Sequence, residues 1–475
     1  MKSFYITTPI YYANDKPHLG HSYTTIAADV ISRYYRLKNK DVFFLTGTDE
    51  HGSKIEEAAK QNGSTPQKWV DDIVEDFKLL CKRLDISNDD FIRTTEFRHE
   101  KKVREVFEKL LKKGDIYKGK YNGWYCVACE SYYTDTQLVA GGHCPDCSKS
   151  VEKLEEESYF FNLSKYQNAL LKHYEENPDF MQPSWRASEI VNFVKSGLKD
   201  LSVSRKNVKW GIIVPDDETH TIYVWFDALI NYISAAENKN VWPCDIHFVG
   251  KEIFKFHTVI WPAMLLALDI PLPKTVFAHG WWTVNGEKMS KSKGNFVNPH
   301  NFIDKYGCDA YRYFVLRQIS FGDDGDFSEK SFFERYNNDL ANNLGNLISR
   351  TFSMVEKYSL QGVVPKAISE FPIGKLVNEF TEKFAQAIEK IELTVSLDLI
   401  WGIIDEANRT IDSEKPWVLY KTDKEKLKVV FENLLSAIGI ISEALSPFMP
   451  ETSEKIKKII LDKKVFSPLF PRKES

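Results

Sequence analysis

Apolar and polar positions alternate at two different periods along this chain, and the change of period marks its parts. Phe4-Tyr5-Ile6-Thr7-Thr8 reads as a strand, and Ile26, Val30, Ile31 and Tyr34 then recur at helical spacing. The short apolar run Val42-Phe43-Phe44-Leu45 follows and ends at Gly47. Strand, helix, strand, with polar residues after the strand ends, predicts a parallel sheet with its site at the carboxyl edge. From residue 116 to 220 the alternation breaks, and glycines, cysteines and short aromatic strands predict an inserted domain. Tyr223-Val224-Trp225, Ile246-His247-Phe248-Val249 and Val276-Phe277-Ala278 then resume strand character, so both flanks of the insertion should complete one sheet. Beyond residue 330 strand signals fade. Phe380, Phe384, Ile388 and Ile391, and again Leu427, Val430 and Leu434, fall at helical spacing between prolines 365, 416, 447 and 450, which predicts a helix bundle.

With 475 residues the chain is long enough for two to four domains, each with its own core. Its 43% hydrophobic and 27% charged composition is globular, and a net charge of −4 selects no partner. Lysine pairs at 101–102, 112–113 and 457–458 read one by one as solvated helix faces. Met1-Lys2-Ser3 runs straight into the first strand without an apolar signal core, and the apolar stretch Trp261 to Leu268 is too short to span a bilayer. The expectation is a soluble, cytoplasmic protein with no membrane partner. Of seven cysteines, Cys81, Cys244 and Cys308 are scattered, which is no disulfide framework.

The other four form two knuckles, Cys126-Val127-Ala128-Cys129 and Cys144-Pro145-Asp146-Cys147, 14 residues apart. Two C-x2-C pairs supply four thiolates in tetrahedral reach, which suits a structural Zn2+ with no open position. His18-Leu19-Gly20-His21 places two imidazoles and a glycine at the start of the first helix, where unpaired N–H groups and the helix dipole favour phosphate. Lys288-Met289-Ser290-Lys291-Ser292, continued by Lys293-Gly294-Asn295, is a lysine-rich loop able to bring positive charge to the same phosphates. Gly250-Lys251-Glu252 ends a strand before a helix, a natural nucleotide edge. Trp225, Ala228, Leu229 and Tyr232 lie at i, i+3, i+4 and i+7 on one helix face, and Asn346 and Arg350 share another.

The order strand, His-Leu-Gly-His, insertion, Lys-Met-Ser-Lys-Ser, helical C-terminus resembles the class I aminoacyl-tRNA synthetases. Thr7-Thr8-Pro9-Ile10-Tyr11-Tyr12-Ala13-Asn14, Thr46-Gly47-Thr48-Asp49-Glu50-His51-Gly52 and Val284-Asn285-Gly286-Glu287-Lys288-Met289-Ser290-Lys291-Ser292 are similar to the methionyl-tRNA synthetases among them. The likeness runs from Phe4 to about Ile460. It implies a Rossmann-like catalytic domain of residues 1–115 and 221–290, an inserted zinc-knuckle domain at 116–220, a stem-contact segment at 291–335 and a helical anticodon-binding domain at 336–475. It also implies ATP-dependent ligation of L-methionine to tRNA(Met) through methionyl-adenylate, with Mg2+ accompanying ATP.

By the same resemblance His18, Gly20, His21, Lys251, Glu252, Lys288 and Lys291 bind ATP, and His18, His21, Lys288 and Lys291 act in catalysis. Ile10, Tyr12, Asp49, Trp225, Ala228, Leu229, Tyr232, Phe256, His257 and Trp261 would hold methionine, Asp49 taking the ammonium. Aromatic faces suit a flexible thioether. Pro9 and Leu229 depart from the Ala and Pro of some family members, which alters the pocket wall. Asn346, Arg350 and Trp417 would meet the anticodon, where an amide, a guanidinium and an indole can splay and stack bases. Trp417 read alone is a core residue at a helix start. A synthetase for cysteine would need a pocket cysteine near residues 7 to 14, and none is there. The editing insertion of the leucine, isoleucine and valine enzymes does not fit between 116 and 220. A zinc-dependent RNA-binding or chaperone-like module without catalysis is opposed by intact His18, His21, Lys288 and Lys291. The chain stops at Ser475 soon after the bundle, and a monomer is expected.

Overall fold

The computed structural model describes residues 3–126, 131–133, 138–139, 141–145, 148–206, 208–284, 286–288, 296–365, 372–465 and 467–474. The chain forms two compact units. The first comprises residues 1–16, 43–76 and 88–278, and the second 17–42, 77–87 and 279–475.

The first unit is built on a seven-stranded sheet: β1 (Phe4–Thr7), β2 (Tyr11–Tyr12), β3 (Val42–Asp49), β4 (Asp90–Arg93), β5 (Met181–Gln182), β6 (Ile246–Gly250) and β7 (Thr275–His279). The order is β2-β3-β1-β6-β7-β5, with β4 paired to β3. The pairs β1/β6, β2/β3, β3/β4 and β7/β5 are parallel, in registers such as Ile6 with Ile246, Leu45 with Asp90 and Val276 with Met181. β3 is buried along nearly its whole length, as a strand covered on both faces must be, which is why it reads as a continuous apolar run. Gly47 allows the close pairing, because a Cβ there would lie 2.0 Å from the Ile92 carbonyl oxygen. One core joins Tyr5, Leu45, Phe107, Phe226, Trp261 and their neighbours.

One expectation is corrected here. Tyr223-Val224-Trp225 is not a strand: Val224–Leu229 is a short helix, with Tyr223 as its extended N-cap and the Asp227 N–H donating to the Tyr223 carbonyl at 3.0 Å. Three apolar residues suit either period, and the spacing of Trp225, Ala228 and Leu229 decides for the helix. β5 lies inside the 116–220 span and joins the large sheet through β7. The span also forms a four-stranded antiparallel sheet in the order Ser131–Tyr133, Ile116–Cys126, Glu152–Phe161, Leu201–Ser202, and a three-stranded one in the order Ser204–Arg205, Asp217–Ile222, Ile213–Val214.

The second unit carries the helix Leu19–Leu37 together with Pro299–Tyr306 and Cys308–Arg317. Trp282–Val284 pairs antiparallel with Glu287–Lys288 and parallel with Gly325–Phe327. Helices Asn346–Lys357, Pro372–Glu389, Leu393–Glu414, Pro416–Thr422, Lys424–Leu445 and Pro450–Asp462 follow, as the periodicity predicts. Phe380, Phe384, Ile388, Leu427, Val430 and Leu434 are buried among them. Pro416 and Pro450 open helices, where a missing N–H costs nothing. Among the described residues no helix is long and apolar enough to cross a membrane.

Candidate active site

His18 caps the helix Leu19–Leu37. Its Nδ1 accepts the Gly20 N–H at 3.0 Å, and the Nδ1 of His21 accepts the His18 N–H at 3.0 Å, a reciprocal capping box made by two imidazoles. A ring whose Nδ1 accepts carries its proton on Nε2 when neutral. The pair therefore presents N–H donors of the kind phosphate oxygens take, beside a helix N-terminus that favours anions. The rings stack at 3.9 Å. Burial, and then the neighbouring His18, hold the His21 pKa well below its ordinary 6.5, so that ring is neutral near pH 7. A Cβ at Gly20 would sit 3.0 Å from the His18 ring, a contact tight enough that the ring would have to shift by a few tenths of an ångström.

The side chain of Lys288 and the whole of Lys291 lie outside the described residues. The backbone just after the lysine loop is described, and it returns to the histidines. Phe296 meets the His18 ring edge-on at 5.9 Å, and the Val297 carbonyl accepts the Leu19 N–H at 3.3 Å.

In the first unit two neighbouring parallel strands end side by side. Tyr12 and Asp49 are register partners at the carboxyl ends of β2 and β3, and Ile10 packs against the core just before them. Trp225 stacks on Phe256 at 3.9 Å with planes 12° apart. Tyr232 donates its hydroxyl proton to His257 Nε2 at 2.7 Å, because His257 Nδ1 is engaged by the Ile253 carbonyl at 3.0 Å. Burial lowers the His257 pKa to about 4, which keeps that acceptor unprotonated. Trp261 lies 5.8 Å from the Tyr232 ring, and Ala228 and Leu229 are buried beside them. Trp225 with Phe256, and Tyr232 with His257 and Trp261, thus form two aromatic contacts within the first unit. Lys251 and Glu252 form a turn of 3-10 helix directly after β6, the Glu252 carboxylate folded against Gly250, where a Cβ would meet it at 2.5 Å.

Cys126 ends the strand Ile116–Cys126, while Cys144 lies in the turn where its carbonyl accepts the Ser148 N–H at 2.9 Å. Both are fully buried and share one small cluster with Trp124, Leu138 and Val151. Two buried thiols in one small cluster are soft donors of the kind zinc takes, and they supply two of the four ligands a tetrahedral thiolate site uses. Cys129 and Cys147 lie outside the described residues; among the described ones no group of three or more possible metal ligands converges.

In the helical region Asn346 is exposed at the start of Asn346–Lys357, and Arg350 Nη2 donates to Asp412 Oδ1 at 2.7 Å. Asp412 belongs to the helix that leads, through Lys415, into Pro416-Trp417. Trp417 is 44% exposed and is not the core residue that its sequence context alone suggests. A groove of about 400 Å³ runs past Asn342, Asn346, Ser349 and Phe470.

Residues 4–154 and 148–352 match the family model of tRNA synthetases class I (M), and residues 369–468 match the anticodon binding domain of methionyl tRNA ligase. A methionine–tRNA ligase of Caldanaerobacter subterraneus is 53% identical over 96% of this chain and 73% of its own length. One of Rickettsia conorii is 49% identical over 96% of this chain and 92% of its own. The Mycobacterium tuberculosis methionyl-tRNA synthetase in complex with methionyl-adenylate superposes with a TM-score of 0.93 at 37% identity, covering 99% of this chain and all of that one. The chain belongs to the methionyl-tRNA synthetases. Its activity is ATP-dependent ligation of methionine to tRNA(Met) through methionyl-adenylate.

Sequence reasoning missed His247, a residue that braces Tyr232 and Trp261 of this methionyl-tRNA synthetase. His247 Nδ1 pairs with Thr7 Oγ1 at 2.7 Å, its Nε2 accepts from Trp261 Nε1 at 3.4 Å, and its ring packs 4.2 Å from Tyr232. Burial, and then the neighbouring His257, keep it neutral. Its partner Thr7 lies 240 positions away, so only strand register brings the two together.

Proposed function

We propose that the two sets of side chains divide the reaction as follows. Ile10, Tyr12, Trp225, Ala228, Leu229, Tyr232, Phe256, His257 and Trp261 enclose the methionine side chain, and Asp49 receives its ammonium. The methionine carboxylate attacks the α-phosphate of ATP, which arrives with Mg2+, and pyrophosphate leaves. A hydroxyl of the terminal tRNA adenosine then attacks the adenylate carbonyl. No covalent enzyme intermediate is needed, so alignment and charge stabilisation carry the catalysis. His18 and His21 meet the triphosphate through their Nε2–H donors, and Gly20, whose own N–H is held by His18 Nδ1, lets the phosphates approach the backbone. Lys251 and Glu252 hold the nucleotide, and Lys288 and Lys291 stabilise the departing pyrophosphate. Cys126, Cys129, Cys144 and Cys147 would hold a structural zinc, which when bound ties the two knuckles together. Asn346, Arg350 and Trp417 contact the anticodon, and the protein works in the cytoplasm.

The observation that carries the ATP assignment is the return of Phe296 and Val297 onto His18 and Leu19, which ties the loop's C-terminal flank to the imidazole pair. Lys291→Ala tests it. Methionine-dependent ATP–pyrophosphate exchange should fall at least a hundredfold while the methionine Kd changes less than twofold, since the charge is needed as pyrophosphate departs. Equal losses in affinity and rate would contradict the assignment.

A further inference from the structure

Asp227 is 1% exposed, yet it is a carboxylate placed between two pocket residues, Trp225 and Ala228. Both of its oxygens are taken by imidazoles. His51 Nδ1 donates to Oδ2 at 2.7 Å, and His99 Nε2 donates to Oδ1 at 2.7 Å. His99 Nδ1 in turn meets the Ser234 hydroxyl at 2.9 Å. These partners come from different elements. His51 follows Asp49 by two residues just past β3, His99 lies in the helix Phe97–Lys113, and Ser234 shares the helix Asn231–Ala236 with Tyr232.

We propose that Asp227, clasped by His51 and His99, is a positioning residue that sets Trp225 and Tyr232 against Asp49 and so determines methionine affinity. The inference rests on the methionine-pocket reading above and deepens it. Three arguments support it. First, Val224–Leu229 and Asn231–Ala236 are six residues each, too short to hold a direction by their own hydrogen bonds, so tertiary ties must orient them. Second, the cluster is a poor stabiliser: burying a carboxylate with its counter-ion commonly gains nothing over apolar packing, so its value lies in the geometry it imposes. Third, burial opposes charge on both groups, but Asp227 raises the His51 pKa and the two histidines lower that of Asp227, so each partner favours the other's charged form across hydrogen bonds of 2.7 Å. The carboxylate thereby joins the strand end that carries the ammonium partner to the two helices that carry the aromatic walls.

The test compares Asp227→Asn, His99→Leu, His99→Gln and Trp225→Ala in methionine-dependent pyrophosphate exchange, with melting temperature measured on the same preparations. Asp227→Asn and His99→Leu should each raise the methionine KM at least tenfold and leave the ATP KM within twofold. His99→Gln, which keeps an N–H donor for Oδ1, should restore the methionine KM to within threefold of the parent. A merely structural role predicts lower melting temperature and lower kcat per total protein, with both KM values unchanged, and that result overturns the proposal. If Asp227→Asn does not fold, the His99→Leu and His99→Gln pair decides: equal methionine KM values in the two would also overturn it. Trp225→Ala separates the proposal from its foundation. If Trp225→Ala raises the methionine KM and the cluster variants do not, the pocket reading stands and the positioning role falls. If Trp225→Ala leaves it unchanged, the pocket reading itself is wrong.

Discussion

Replacing Arg312 by methionine should damage the second unit more than most single changes. The guanidinium is fully buried and reaches four acceptors: Asp29 Oδ2 at 2.7 Å, Pro447 O at 2.8 Å, and Leu84 O and Phe448 O at 2.9 Å each. Asp29 lies in the helix capped by His18, so this single side chain ties that helix to the segment before the last one. Methionine preserves much of the volume but leaves three buried carbonyls and one buried carboxylate without their donor. Breaking a buried ion pair from one side costs about 3–5 kcal/mol, and each stranded carbonyl adds about 1–3 kcal/mol before relaxation. Asp29 keeps Arg33 at 2.7 Å and the Ser87 N–H and hydroxyl at 2.7 and 2.6 Å, which softens its share. With the ion-pair loss largely absorbed by these remaining partners of Asp29, about 1–1.5 kcal/mol for each of the three carbonyls leaves about 4 kcal/mol, which for a cooperative unit of roughly 150–250 residues lowers Tm by about 8–16 °C. Circular-dichroism melting of the Arg312→Met chain measures it, followed through both transitions if the units unfold separately. Adding Asp29→Asn to Arg312→Met should recover part of the loss, because the stranded charge is then gone. A drop below about 2 °C for Arg312→Met, or a double variant as unstable as the two single losses added, would refute the reasoning.

Three further outcomes are expected. Trp417→Ala should reduce tRNA charging by one to two decades, the equivalent of the roughly 1–3 kcal/mol of a base stack, with pyrophosphate exchange unchanged; because the indole is 44% exposed, parallel loss of both activities would remove it from the anticodon site. Cys126→Ser or Cys144→Ser should release zinc, measured by elemental analysis of the purified protein, and parent protein containing no metal would end that assignment. The His51–Asp227 pair makes stability depend on pH: with its folded pKa raised, His51 contributes fully below its unfolded value of about 6.5, and that contribution disappears as pH rises through the higher folded value. Asp227, whose folded pKa is lowered, contributes above about 3.8 and fails as pH falls through its folded value. The melting-temperature gap between parent and Asp227→Asn should therefore narrow at both ends of that range.

What could be read in advance follows from how local each signal is. The helix after His18, the buried β3 and the late helices are written in spacing within ten residues, and each is found. Trp225, Ala228, Leu229 and Tyr232 announced a helix face, although the structure divides it at Ile230 into two short helices. Met181–Gln182 could not be anticipated, since two residues carry no alternation and the strand exists because Val276 and Phe277 offer it partners. The clasp on Asp227 was equally silent. His51 and His99 stand 176 and 128 positions away, and only a charged residue inside the apolar stretch Trp225 to Leu229 hinted that something had to neutralise it. Lys288 read as a loop residue, yet its backbone pairs with Thr283 in a short antiparallel strand.

The imidazole pair also restricts what the lysines must do. His21 is neutral near pH 7, and each Nδ1 is spent on the backbone, so the motif offers N–H donors and the helix end rather than full charges. The helix end is worth roughly half an elementary charge. A triphosphate bound by such groups alone is held much the same before and during the reaction, and uniform binding does not lower the barrier. Charge moves only when the bond from the α-phosphate to pyrophosphate breaks, and stabilising that shift takes whole positive charges near the leaving oxygens. In the proposed division of labour Lys288 and Lys291 supply such charges, from a loop whose far flank is bound back to the histidines at Phe296 and Val297. On that proposal neutral donors fix the substrate and lysines answer its changing charge, so the two motifs are complementary.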